Sequence, residues 1–134
     1  MKAKSKSEPY ADVVAAIEGW QAVVTSEMAR LRAEIRRLER AGAVEYARVQ
    51  FKDNRYALLN INPPRGERTR TYVGKDPSRI EEARQRVANG ALLTRAKRAL
   101  VDLQDAAERF GYALRATLKT VPSTLENLSP KRRR

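Results

Sequence analysis

The sequence predicts an α+β chain: a long N-terminal helix, a three-stranded antiparallel β-meander and a long C-terminal helix. Three observations carry this. Two helix-length segments hold apolar residues at alternating spacings of three and four, the pattern that keeps one helix face turned to a partner. Between them lies a block of β-prone, alternating residues from about 44 to 73, and period two is the mark of a half-buried strand. Turn-forming clusters then cut that block into three.

The first seam runs Val14, Ile17, Gln21, Val24, Met28, Leu31, Ile35, Leu38, Gly42, with seven of nine positions apolar. Pro9 suits the first turn of this helix and Ser7 its cap. Gly42, just beyond Arg40, is a typical residue past a helix C-terminus. Arg36, Arg37 and Arg40 in the last turns complement the helix dipole. Gln21 at a core-type position is a device for setting register or oligomer state.

The meander follows. Residues 44–51 and 55–62 read as strands joined at Asp53-Asn54. Burial decides the register. A two-residue loop would mix Arg48 and Gln50 with Ala57 and Leu59. Pairing Lys52 with Tyr56 instead gathers Ala47, Val49, Phe51, Ala57, Leu59 and Ile61 on one apolar face, and a buried face specifies register. Asn54 tolerates the left-handed conformation such a loop needs. Pro63 and Pro64 exclude the next stretch from a central strand. Residues 69–73 form the third strand, ended by Gly74.

Asp76 or Ser78 caps the last helix, with Pro77 at its first position if Asp76 is the cap. Asn89-Gly90 either breaks this helix or bends it. A second seam runs Leu93, Ala96, Leu100, Leu103, Ala107, Phe110, Leu114, Thr117, Val121, eight of nine apolar, and Val121-Pro122 ends it. The domain expectation is a disordered basic tail over residues 1–8, one helix–meander–helix domain over 9–121, and a second disordered basic tail over 122–134. The two seams form a coiled-coil stalk, within one chain or between two. Val101, Tyr112 and Leu118 lie off the second seam and favour a homodimer.

Charge points to a partner. The net charge is +12, yet residues 9–43 carry five positive and five negative charges, so the excess lies elsewhere. A polyanion is the natural partner, because each neutralised phosphate releases condensed counterions. No apolar run reaches the roughly 18 residues of a membrane span, neither helix pairs a cationic face with a Trp/Phe face, and the N-terminus has no apolar stretch of a signal peptide. The expectation is a cytoplasmic protein, nucleoid-associated if its partner is DNA. There is no Cys and no His, which removes the commonest general base, metal ligand and thiol nucleophile. Asp102 with Asp105, and Glu81 with Glu82, read as solvated or ion-paired helix residues. No phosphate loop, nucleophile elbow or dinucleotide fingerprint occurs. A noncatalytic chain with no cofactor and no metal is expected.

With the apolar face turned to the helices, the opposite sheet face shows Tyr46, Arg48 and Gln50, then Tyr56, Leu58 and Asn60, then Arg68, Arg70 and Tyr72. Arg grips phosphate or reads guanine, Asn and Gln read adenine, and Tyr stacks on bases. Arg65 in the loop and Lys75 and Arg79 at the helix start border this face, and a helix N-terminus offers backbone N–H groups to an anion. Lys131, Arg132, Arg133 and Arg134 close the chain. Duplex DNA is the expected partner. RNA binding, and a structural adaptor that binds a protein through its helices, are the alternatives.

Three short strands, a basic free face and a following helix over residues 44–90 resemble the arm-type DNA-binding domains of tyrosine integrases and their plant transcription-factor relatives. That resemblance implies a sheet lying in the DNA major groove. Arg55-Tyr56-Ala57-Leu58, then Arg68 to Val73-Gly74-Lys75, then Ala83, Val87, Asn89 and Leu93 resemble small uncharacterised coiled-coil proteins encoded near transposases. This implies a mobile-element, plasmid or phage setting. The chain departs from that pattern in having one Tyr in the strand, a longer loop at Pro63-Pro64-Arg65-Gly66-Glu67, and no Cys. Ser129-Pro130-Lys131-Arg132 resembles the Ser-Pro-basic-basic units of linker-histone tails.

Overall fold

The computed structural model describes residues 8–128 and, of their side chains, those of residues 11–117. The elements are α1 (Glu8–Arg40), β1 (Ala47–Lys52), β2 (Tyr56–Ile61), β3 (Thr69–Gly74) and α2 (Pro77–Leu128). The expected layout is observed. Lys131 to Arg134, expected to add phosphate contacts, lie outside the described residues.

α1 ends in a glycine-capped turn. The Ala43 N–H donates to the Leu38 carbonyl at 3.1 Å, and the Gly42 N–H to the Glu39 carbonyl at 3.1 Å. This paired closure needs a left-handed residue at its centre, and Gly42 supplies it with φ 80°. Two exposed pairs, Glu27–Arg30 and Glu34–Arg37, join side chains three residues apart along α1.

The expected strand from residue 44 begins three residues later, at Ala47, because Val44 and Glu45 are bonded to α2. The Val44 N–H donates to the Arg86 carbonyl on α2 at 3.1 Å. Arg86 Nε returns a bond to the Gly42 carbonyl at 2.8 Å. Glu45 then accepts from Thr94 Oγ1 at 2.8 Å and from Lys97 Nζ at 2.5 Å. The connection between α1 and β1 is thus clasped to α2 over Arg86 to Lys97. Gly90 permits the close approach: a Cβ on it would lie 1.7 Å from the Val44 carbonyl oxygen.

The sheet is a meander in the order β1-β2-β3. Lys52 pairs with Tyr56, Val49 with Leu59 and Ala47 with Ile61, the register that burial demands. The hairpin loop places both Asp53 (φ 55°) and Asn54 (φ 53°) in the left-handed region, where only Asn54 was expected. The turn closes with the Arg55 N–H on the Lys52 carbonyl at 3.0 Å. β3 pairs with β2 through a bulge, since Ala57 faces Gly74 but Leu58 faces Tyr72.

Asp76 is the cap of α2: its Oδ1 accepts from the Ser78 N–H at 3.0 Å, which puts Pro77 at the first helical position. α2 then runs unbroken through Asn89-Gly90 and through Pro122 to Leu128. The helix is thus not broken at Asn89-Gly90, and it extends past the end expected at Val121-Pro122. A glycine inside a helix costs only about 1 kcal/mol relative to alanine. Proline forfeits one backbone bond and crowds the preceding turn, but its fixed φ is itself helical.

Chain contacts divide the molecule into two units, Met1–Leu100 and Val101–Arg134. The core of the first is Val24, Leu31 and Leu38 of α1, Ala57 and Leu59 of β2, and Ala83, Leu93 and Ala96 of α2. On α1 the buried residues recur every seven positions. Other expected seam positions are exposed: Val14 and Gln21 on α1, and Phe110 and Thr117 on α2. Among the described residues, no helix is long and apolar enough to cross a membrane.

Candidate nucleic-acid interface

Alternation places Ala57 and Leu59 in the core and turns their neighbours in β2, Tyr56, Leu58 and Asn60, to the opposite face. The register then lays this free face out in rows. Arg48, Asn60 and Arg70 stand side by side across the three strands, and Gln50, Leu58 and Tyr72 form the next row. Lys52 and Tyr56 follow at the hairpin end. None of these residues is acidic.

Two expected members lie just outside the strands. Tyr46 precedes β1 and Arg68 precedes β3. The ladder nevertheless continues one residue, with the Asn62 N–H donating to the Tyr46 carbonyl at 2.8 Å. At this end of the sheet a cavity of about 410 Å³ is lined by Tyr46, Ala47, Arg48, Asn60, Ile61, Asn62, Arg68, Thr69 and Arg70. Three arginines, two asparagines and a tyrosine thus line it together with Ala47, Ile61 and Thr69, with no acidic residue among them. Tyr46 reaches its place with φ 57°, an outlier for a bulky residue, and its side chain stays half exposed.

Two side-chain contacts order the middle of the face. Asn60 Nδ2 donates to Gln50 Oε1, while Asn60 Oδ1 is buried without a hydrogen-bond partner. Tyr56 and Tyr72 pack with ring centroids 5.5 Å apart and planes tilted by 50°, and Tyr72 is 66 % exposed. On the other side of the sheet, the Arg84 guanidinium lies 5.4 Å from the Phe51 ring centroid, so that arginine serves packing.

Of the expected site residues, Tyr46, Arg48, Asn60, Arg68 and Arg70 meet at the cavity, and Gln50, Tyr56 and Tyr72 extend the same face. Arg65 and Lys75 are exposed in the connections on either side of β3. Arg79 is not part of the face. It lines a second groove that residues 71–73 of β3 share with Leu59 and with Glu82, Ala83 and Arg86 of α2. Asn62, which lines the cavity beside Arg68, was not expected; its place before Pro63 marked it only as a loop residue.

No protein-family model, no curated protein and no solved structure matches this chain. Chemically, the face offers cations for phosphate, carboxamides for base edges and rings for stacking. Among the described residues no group of three or more acidic side chains forms a metal site.

Proposed function

We propose that this chain is a noncatalytic nucleic-acid-binding protein that takes duplex DNA on the free face of its sheet. The observation that carries the reading is the Arg48–Asn60–Arg70 row, with Arg68 at its end and no acid on the face. Strands lie about 4.8 Å apart, so the row spans on the order of 10 Å. That width suits the roughly 12 Å major groove of B-DNA. Arg65 and Lys75, and the basic chain end from Lys131 to Arg134, add phosphate contacts that position without specifying. A mobile-element setting rests on the resemblance alone.

The chain acts as a homodimer whose helical seams pair into a stalk and present two sheets. Exposed Val13, Val23, Val101 and Tyr112 support association. A second copy suits α1 because residues 9–43 carry balanced charge on a chain of net +12: two polycations approach most cheaply over a neutral surface.

The test is binding to duplex DNA, single-stranded DNA and structured RNA across a salt series. Arg48→Glu with Arg70→Glu should weaken duplex binding at least tenfold more than Arg32→Glu with Arg36→Glu. Both pairs are exposed and change the net charge equally. Arg37 is avoided as a control because it pairs with Glu34 at 2.6 Å. A single Arg→Ala on the face should relax sequence preference by about 1–3 kcal/mol. Equal losses from the two double variants would reduce the chain to a diffuse polycation. A preference for RNA would redirect the reading, and absence of salt-dependent binding would leave the protein adaptor.

A further inference from the structure

We infer that the cavity at the open end of the sheet is a subsite for one unpaired nucleotide, so that the preferred ligand is duplex DNA with a single-stranded end. This rests on the reading of the free face as a nucleic-acid surface, and it adds a second kind of contact to it. The row of Arg48, Asn60 and Arg70 faces outward for groove contact, and the same three residues form part of the lining of the cavity, about 410 Å³, within the range of small-ligand sites.

Its lining sorts into the parts of a nucleotide. Arg48, Arg68 and Arg70 surround the cavity with no acidic residue to neutralise them, and guanidinium forks match phosphate oxygens. Asn62 brings a carboxamide, which pairs with a base edge, while Asn60 is already bonded to Gln50. Tyr46 also lines the cavity and is half exposed, and an exposed ring is a stacking platform for a base taken out of its duplex.

The backbone of Tyr46 supplies an independent argument. The chain leaves the clasp at Glu45 and must turn sharply into β1, which puts residue 46 at φ 57°. Glycine or asparagine makes that turn with less strain. A tyrosine there holds a strained conformation with its ring half in solvent, and such outliers collect at ligand sites.

The experiment compares a blunt duplex with the same duplex carrying a three-nucleotide overhang, 5′ in one arm and 3′ in the other, by fluorescence anisotropy at fixed salt. At least one overhang should bind on the order of tenfold tighter than the blunt duplex, in keeping with one base stacked on an aromatic ring. Tyr46→Asn removes the ring and keeps a residue that accepts the left-handed backbone. It should erase the overhang preference, leave blunt-duplex affinity within about twofold, and unfold at a temperature no lower than the unsubstituted chain. Equal affinity for blunt and overhang duplexes overturns the subsite while sheet binding stands. An overhang preference that survives Tyr46→Asn also overturns it. If Arg48→Glu with Arg70→Glu leaves blunt-duplex binding intact, the sheet reading fails separately.

Discussion

Glu45 shows how a single carboxylate organises the start of the sheet. Burial pushes its carboxyl up, but the hydrogen bonds from Lys97 and Thr94 outweigh burial and hold it below the usual range. The bond from Glu45 in turn raises the Lys97 ammonium. The two shifts act at opposite ends of the pH scale. The Glu45 contribution is fully present above the ordinary carboxylate pKa of about 4.3 and is lost as pH falls through the lowered value. The Lys97 contribution is present below about 10.4 and is lost as pH rises through the raised one. Lys97 is 45 % exposed, so solvent screening keeps the pair below about 1 kcal/mol. Glu45→Gln should therefore lower the urea midpoint slightly at neutral pH and flatten the loss of stability on acidification. An acid limb unchanged by the substitution would assign it to other carboxylates, such as Glu27 and Glu34, which their arginines also hold low.

At the scale of elements, periodicity was the reliable guide. The pairing of Lys52 with Tyr56 followed from asking which register buries one face, since a slip of one residue turns every side chain over. The Arg48–Asn60–Arg70 row came with it. What the sequence hid was set by residues far apart in the chain. Val44 and Tyr46 are β-prone, yet bonds to Arg86, Thr94 and Lys97 draw Val44 and Glu45 onto α2. Those partners lie more than 40 residues on, so no local pattern reports them. The cavity depends on the same turn and was equally hidden. Gly90 is legible as an anomaly, a break or a bend in the helix, but not as the close-packing position that a glycine inside a helix also marks. Helix propensity alone makes Gly90→Ala stabilising by about 1 kcal/mol. The 1.7 Å approach to the Val44 oxygen reverses the sign, because backbone must move, and overpacking costs about 1–3 kcal/mol. Gly19→Ala is the counterpart, since a Cβ there meets nothing within 4 Å. Denaturant titrations should show Gly19→Ala more stable and Gly90→Ala less stable than the unsubstituted chain. Two stabilised variants would mean that the clasp yields at little cost.

For the whole molecule the question is what α1 does beyond its buried residues. Leu38 is fully buried and Leu31 and Val24 nearly so, while Val13, on the same stripe, is 55 % exposed. Val23, about 100° round the helix from Val24, is 67 % exposed. A stripe whose burial fades along the helix has apolar surface to offer, and the neutral charge of this segment makes another copy the suitable cover. Sedimentation or light scattering across micromolar concentrations should show a dimer. Val13→Glu with Val23→Glu should shift it to monomer with little change in the far-UV spectrum, because exposed positions make few contacts within the chain. Duplex affinity should then fall more than any change at one sheet explains, since two linked sheets bind with an effective concentration that one lacks. A stable monomer before substitution would remove the dimer and leave each sheet to bind alone. A dimer that survives both glutamates would place the contact elsewhere, on surfaces such as those bearing Val101 and Tyr112.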